Sequence, residues 1–488
     1  VSGTVEERVL GPFSRVDGDL EVRVALADGR VAEAFASTTL YRGFEQILLG
    51  RPARDALVIA PRICGCCSVA QSVAAARSLA DTTGVAPVGN GALATELILA
   101  CEMVADHLSH FFLCFMPDFS DPAYVGRPWH ERAVRRFGKD VGAGRHQALR
   151  ARLAFLHALG SLAGKWPHNL AIQPGGTTKS VDLGERMRLK AIIMELRRFL
   201  ETTLFGDALE AVAALDDAKS LARWADDGAT RQEADFGLFL AIAGDLDLWS
   251  MGLGPDRFLS VGGGGAAGPL FPPGLWGGGA VQPLDLALLR EDLGYAWMSG
   301  PGGHPASGGT ALPDRDQVRG YSWCKAPRLD GGSCEVGPFA RQMVAGHPLI
   351  RSLSLDAHGR AGVAGRVVAR LLELALLVPA MEGWIRALSP GQPYCQPMTV
   401  PERGRGVGLA ESARGSIGHW LSVEGGRIAS YQIVASGTWN VSPRDRAGHP
   451  GPLEEALAGA AVAPDDDFPL TVQHIVRSFN PCLRCAGH

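Results

Sequence analysis

Charge of either sign is scarce in this chain of 488 residues. Asp, Glu, Lys and Arg together make up 20% and nearly cancel, leaving a formal net charge of -4. That balance excludes the basic footprint of a nucleic-acid binder and gives no pull toward an anionic membrane. Long uninterrupted apolar runs are missing as well. The richest, residues 367–384, is broken by Arg370, Glu373 and Glu382, so no transmembrane helix and no direct membrane insertion is expected. The first residues lack a basic patch followed by an apolar one. A cytoplasmic location is therefore expected, or transport by a partner. Cysteine is sparse too: ten copies are too few for a disulfide scaffold in a chain this long. Hydrophobic residues, at 46%, are plentiful enough for a large core. The length alone suggests two or three ordinary domains or one large one.

The patterning favours helices. Residues 15–38 alternate apolar and polar positions, with Asp17-Gly18 and Asp28-Gly29 at hairpin-turn positions, and read as strands. Residues 44–50 read as a helix ending at Gly50. Residues 91–116 are apolar on most faces, as in a core helix. Residues 180–204 are amphipathic, and residues 364–388 form another helical pattern, bent or interrupted at Pro379. Without an alternating strand–helix pattern, this predicts a mostly α protein with peripheral β (α+β), built on a central bundle of long helices. Glycine is abundant, with 62 copies, and densest in residues 261–280 and 300–309, which read as loops or irregular strands. Neither stretch has the spacing of a nucleotide-binding loop. There is no repeat and no polar linker.

Two Cys-x-x-Cys pairs stand at opposite ends: Cys64 and Cys67, with Cys66 between them, and Cys482 and Cys485. Either pair alone reads as a redox dithiol or half a zinc site. Zinc ribbons keep their pairs about 15–20 residues apart, whereas here nearly the whole chain intervenes. Four such soft ligands select zinc, copper(I), iron–sulfur or nickel, and spacing does not choose among them. A thioredoxin-like motif lacks its strand–helix setting, and c-type haem lacks the His after the second Cys.

These residues resemble a known family. Arg62-x-Cys64-Gly65-x-Cys67 with Pro481-Cys482-x-x-Cys485-x-x-His488 is similar to the large subunit of [NiFe]-hydrogenases. The resemblance runs in order along the chain. It includes Arg15-Val16-Asp17-Gly18, Tyr41-Arg42-Gly43-Phe44-Glu45, Asp106-His107, His110-Phe111-Phe112, residues 321–328, Glu335-Val336-Gly337-Pro338, Ala413-Arg414-Gly415, Gly418-His419-Trp420 and Thr438-Trp439-Asn440. It implies Cys64 and Cys482 as terminal nickel ligands, and Cys67 and Cys485 as bridges to an iron carrying two cyanides and one carbon monoxide. Dihydrogen would be split heterolytically. The terminal thiolate of Cys482 is favoured as proton acceptor, because the Arg414 guanidinium stays charged and shapes the site electrostatically. Asp17, Asp106, Asn480 and Gln71 complete the candidate catalytic group. Glu45, the Ile433 carbonyl and His488 would hold a second ion, Mg²⁺ or Fe²⁺; without the resemblance Glu45 reads as a helix-surface carboxylate. The chain ending at His488 is expected to be a mature form or a product made without a C-terminal extension. The remaining cysteines are too scattered for iron–sulfur clusters, so a small subunit carrying them is implied. A dimer of such heterodimers is a further possibility. The whole of 1–488 is expected to be one domain, with a β-rich segment over about 1–40 and a metal-ligand segment at 480–488.

Four departures from the family pattern carry information. Gln71 stands where the family commonly has His, as in the regulatory, hydrogen-sensing branch, which implies low turnover and a histidine kinase partner. Asp17 replaces a glutamate, and its shorter side chain is expected to reach the thiolate through water. Asn480 replaces an aspartate, removing a negative charge opposite Arg414. Cys66 and Cys114 fall where the family's gas channel narrows; they read as small buried hydrophobes or as a reactive thiol gate. The leading expectation is a hydrogen sensor. The alternative is an uptake hydrogenase passing electrons to a respiratory acceptor, and a non-catalytic relative is a third reading.

Overall fold

The alternation of residues 20–38 becomes an antiparallel sheet in a computed structural model that describes residues 6–263, 270–307, 311–463, 466 and 468–488. Three strands pair in sequence order: β1 (Glu6–Leu10), β2 (Leu20–Ala27) and β3 (Arg30–Thr38). Asp28 and Gly29, both with positive φ, make the tight turn between β2 and β3. Asp17-Gly18 does something else. Instead of turning a hairpin, Asp17 forms a parallel bridge with Cys482, which brings the start of the chain to its end. The expectations for residues 1–5, 264–269 and 308–310 lie outside the described residues.

Five long helices form: α1 (Ser68–Asp81), α2 (Gly89–Ser109), α3 (Ala143–Ala163), α4 (Leu183–Phe199) and α5 (Val363–Ala387). Periodicity marks α2, α4 and α5, with different ends, and leaves α1 and α3 unmarked. The α4 helix starts at Leu183 rather than Ser180 because Asp182 caps it, accepting from the Glu185 N–H while Glu185 accepts from the Asp182 N–H. A wide π-helical turn, Leu200–Phe205, extends it to the expected end. Pro379 lies inside α5 without ending it, because packed, buried turns flank it on both sides. In space α2 packs on α3, α3 on α4, α4 on α5, and α5 back on α2, closing a four-helix ring.

The α2 helix departs from expectation. With the turns that follow, Gly89–Ser120 is long and apolar enough to cross a membrane, and 83% of its most apolar window is buried inside the protein. Its C-terminal end opens into a π-helical turn, His110–Phe115. A second sheet, β4 (Arg403–Ser412), β5 (Gly415–Glu424) and β6 (Arg427–Val434), lies against α1. Glycine in β4 permits that approach: a Cβ at Gly408 would sit 1.9 Å from the Ala74 carbonyl oxygen, and one at Gly406 2.0 Å from that of Ser78. One hydrophobic core runs from Leu10 to Cys485, and the last helix, α6 (Leu470–Ser478), delivers residues 480–488 into it. The architecture is α+β with helices at the centre and small sheets around them.

Candidate metal centre

Local structure fixes each cysteine. Cys67 caps the N-terminus of α1, and Cys64 precedes it after a helical turn at Ala60–Ile63. Cys482 caps a single helical turn, Leu483–Ala486, that contains Cys485. The two segments meet so that the four thiol sulfurs lie within 4.8 Å of one another, all buried and none in a disulfide. Contacts link all four: Cys64 Sγ is 3.4 Å from Cys482 Sγ, Cys482 Sγ is 2.9 Å from Cys485 Sγ, and Cys67 Sγ is 3.1 Å from Cys485 Sγ. Hydrogen bonds from the surrounding thiols hold Cys64 well below the usual thiol range, whereas burial pushes Cys482 and Cys485 up. One thiolate forms readily and the next does not, so a fully deprotonated set needs added positive charge. A bound thiophilic metal would supply that charge, and the donors fit one.

Asp17 reaches the cluster directly. Its Oδ2 accepts from Cys66 Sγ at 2.8 Å and lies 3.3 Å from the sulfurs of both Cys64 and Cys482. The expectation of a water-mediated contact is thus corrected: backbone pairing, with the Leu483 N–H donating to the Asp17 carbonyl at 2.9 Å, holds the carboxyl group within direct reach of both sulfurs. Burial and the neighbouring Cys64 charge push the Asp17 carboxyl up against the pull of Arg414. Arg484 Nε pairs with the other oxygen at 3.1 Å.

Arg414 grips Asp106, with Nη2 2.8 Å from Oδ1 and Nε 3.3 Å from Oδ2, and its Nη1 lies 3.5 Å from Asp17 Oδ2. Asn480 Nδ2 donates to the same Asp106 at 2.7 Å. Asp106 thus supplies the negative charge opposite Arg414, and Asn480 steadies it. Burial works against the Asp106 charge, but Arg414 outweighs it and holds the carboxyl below its ordinary value. Cys66 and Cys114, both half-buried, line a cavity of about 260 Å³ together with Asp17, Glu102, Arg152 and Arg414. Charged groups share that lining with apolar surface, and the Cys66 thiol is hydrogen-bonded rather than merely packed.

Gln71 lies one turn into α1, its Nε2 4.0 Å from the sulfurs of Cys67 and Cys485. Sequence reasoning missed its partner, His419, and also Glu102. The Glu102 carboxylate accepts from the Val69 and Ala70 N–H groups, Ser68 Oγ and Trp166 Nε1, staking the first turn of α1 beside Cys67. Its place within an apolar helix was the one available signal.

The residues expected to hold a second ion also come together. Glu45 is buried, not on a helix surface; its Oε1 accepts from Lys325 Nζ at 2.8 Å and from the Ile433 N–H at 2.9 Å. In an extended strand the N–H and C=O of one residue face the same edge, so the Ile433 carbonyl shares this side. His488 Nδ1 engages the Cys485 carbonyl at 2.6 Å. That leaves Nε2 without a hydrogen-bond partner, 3.4 Å from Glu45 Oε1, as a metal ligand needs. Burial opposes the Glu45 charge, but Lys325 and His488 outweigh it and hold Glu45 at about 2. Lys325 also bonds Glu291, a residue that no sequence signal marked.

The sequence profile of the family described as "Nickel-dependent hydrogenase" matches residues 42–133 and 143–488. The "Periplasmic [NiFeSe] hydrogenase large subunit" of Desulfomicrobium baculatum is 29% identical, over 98% of this chain and 94% of its own length. The "Uptake hydrogenase large subunit" of Rhodobacter capsulatus is 26% identical over the same shares. The solved Ni-Fe-Se hydrogenase of D. vulgaris Hildenborough superposes with a TM-score of 0.83 at 28% identity, covering 99% of this chain and 100% of that one. These relatives correct the cytoplasmic expectation, since one is periplasmic by name. That expectation rested on an N-terminus without an export pattern, which bears only on a chain that exports itself. Nor do their names point to the regulatory branch in particular. With the profile matched over most of the chain and its span ending on the four converging thiols, the chain belongs to the nickel-dependent hydrogenase family.

Proposed function

We propose that this chain is the catalytic large subunit of an uptake-type hydrogenase, which splits dihydrogen heterolytically and gives the electrons to an iron–sulfur small subunit. The observation that carries the reading is the convergence of four buried thiols from opposite ends of the sequence. When bound, a nickel–iron pair, its iron bearing two cyanides and one carbon monoxide, supplies the site that polarises and oxidises dihydrogen. Cys64, Cys67, Cys482 and Cys485 would hold that pair through their sulfurs. A proton passes from Cys482 Sγ to Asp17 Oδ2 across 3.3 Å and leaves Asp17 to water past the half-exposed Arg484, whose guanidinium stays charged and orients the carboxyl group. Arg414, kept charged, and Asn480 fix Asp106 beside that route. Glu45, the Ile433 carbonyl and His488 hold Mg²⁺ or Fe²⁺ and fasten the C-terminal turn. Cys101, Cys324, Cys334 and Cys395 form no cluster among the described residues, which supports an electron relay in the partner. All four ligand positions are cysteine, so this site is built on sulfur even where relatives are named for selenium. We read residues 1–488 as one unit.

The enzyme purified with its partner should contain nickel and iron in equal amounts, show infrared carbon monoxide and cyanide stretches, and reduce an artificial acceptor with hydrogen. Zinc without those bands would sink the reading. Gln71, beside two of the thiols, favours a second reading, a slow sensor that reports to a histidine kinase. Fast turnover with no kinase bound would decide against it.

A further inference from the structure

Gln71 is held by a chain of buried groups that leads away from the metal centre. His419 sits on β5, the middle strand of the sheet that the β4 glycines bring against α1. Its Nε2 is 2.7 Å from Gln71 Oε1, and its Nδ1 is 2.8 Å from the hydroxyl of Tyr431 on β6. All three side chains are fully buried. The directions of these bonds follow from what each atom can do. Metal-bound sulfur only accepts, so the Gln71 amide helps it only with its NH₂ toward Cys67 and Cys485. Oε1 must then face a donor, which makes His419 Nε2 an N–H. Burial keeps the His419 ring neutral, with a single N–H to place. A donor at Nδ1 settles which nitrogen carries it, and the Tyr431 hydroxyl is that donor.

We infer that His419 is a positioning residue: locked by Tyr431, it turns the Gln71 amide so that its N–H groups point at the sulfurs of Cys67 and Cys485. The inference rests on the proposed four-thiolate centre. An N–H aimed at a thiolate withdraws electron density from the metals it holds. Without Tyr431 the imidazole can carry its proton on Nδ1. Bare Nε2 then repels Oε1, the amide flips, and an oxygen faces the sulfurs.

Infrared spectroscopy of the purified holoenzyme tests this without relying on activity. Tyr431→Phe should move the carbon monoxide stretch to lower wavenumber, as more electron density reaches the iron. In a Gln71→Leu background the same substitution should move it no further. His419→Gln, which keeps a donor toward Gln71, should restore the original band. A band unmoved by Tyr431→Phe, or moved equally in both backgrounds, overturns the inference. A parent enzyme lacking the bands altogether would instead defeat the function proposed above. If Tyr431→Phe fails to take up metal, the ¹⁵N shifts of His419 in the metal-free parent chain decide. Nε2–H with bare Nδ1 is expected, and the reverse overturns it.

Discussion

The two thiol pairs of the metal centre face different chemistry. The Cys64–Cys482 side looks onto ionised groups and open space: Asp17 touches both sulfurs, Arg414 and Asp106 stand behind it, and the cavity of about 260 Å³ opens there. The Cys67–Cys485 side looks onto a neutral, fully buried amide, imidazole and phenol. Charge beside a cavity can move protons to solvent. Fixed dipoles in a dry pocket can only bias what the metals already do. On the proposed function, one face would handle protons and the other would tune electrons, on ligands of identical chemistry.

The largest effect should come from the ligands themselves. Cys482→Ser is expected to abolish nickel incorporation, read by metal analysis, and an unchanged nickel-to-iron ratio would remove the metal reading from both faces. Next comes Asp17→Asn, which keeps the shape and loses the proton acceptor. Hydrogen–deuterium exchange should fall by about 10²–10⁴ with the metals retained. Arg414→Lys keeps the charge but loses the two-point grip on Asp106, and turnover should drop by about 10². On the neutral face, Gln71→Leu should slow exchange by no more than ~10–100-fold. If it slows exchange as much as Asp17→Asn does, the division of labour fails.

Much of this contrast was legible in the residues. The two Cys-x-x-Cys ends converge, and the helical periods of α4 and α5 stand close to where their patterns indicate. What the pattern left out depends on contacts between distant segments. Asp17-Gly18 has the composition of a hairpin turn, yet Asp17 pairs with Cys482, a contact between distant segments that no local pattern encodes. His419, on the middle strand of a small sheet, gains its meaning only when Gly406 and Gly408 let that sheet reach α1. Glu291 meets Lys325 across a fold that no local period describes. The periplasmic relative shows a different limit: absence of an export pattern in one chain is silent about a complex.

Glu102 offers the smallest and most discriminating test, because it lines the charged face without touching a ligand sulfur. Burial raises its carboxyl to about 8 from an ordinary 4.5, so at neutral pH it is mostly protonated and adds little charge to the cavity. The sign follows from linkage. Between those two values the folded chain holds a proton that the unfolded chain has released, so this group's contribution is full below about pH 4.5 and lost as pH rises through 8. The span amounts to roughly 3–5 kcal/mol. Glu102→Gln cannot ionise, but it sets an NH₂ against the donors of Trp166 or Ser68 and should be less stable by about 1–3 kcal/mol at low pH. Denaturant unfolding of both proteins across pH 5–9 should show that gap narrowing as pH rises, because only the parent loses stability through this group. A constant gap would mean that Glu102 is ionised throughout, and the cavity side would carry one more negative charge than the comparison of the two faces allows.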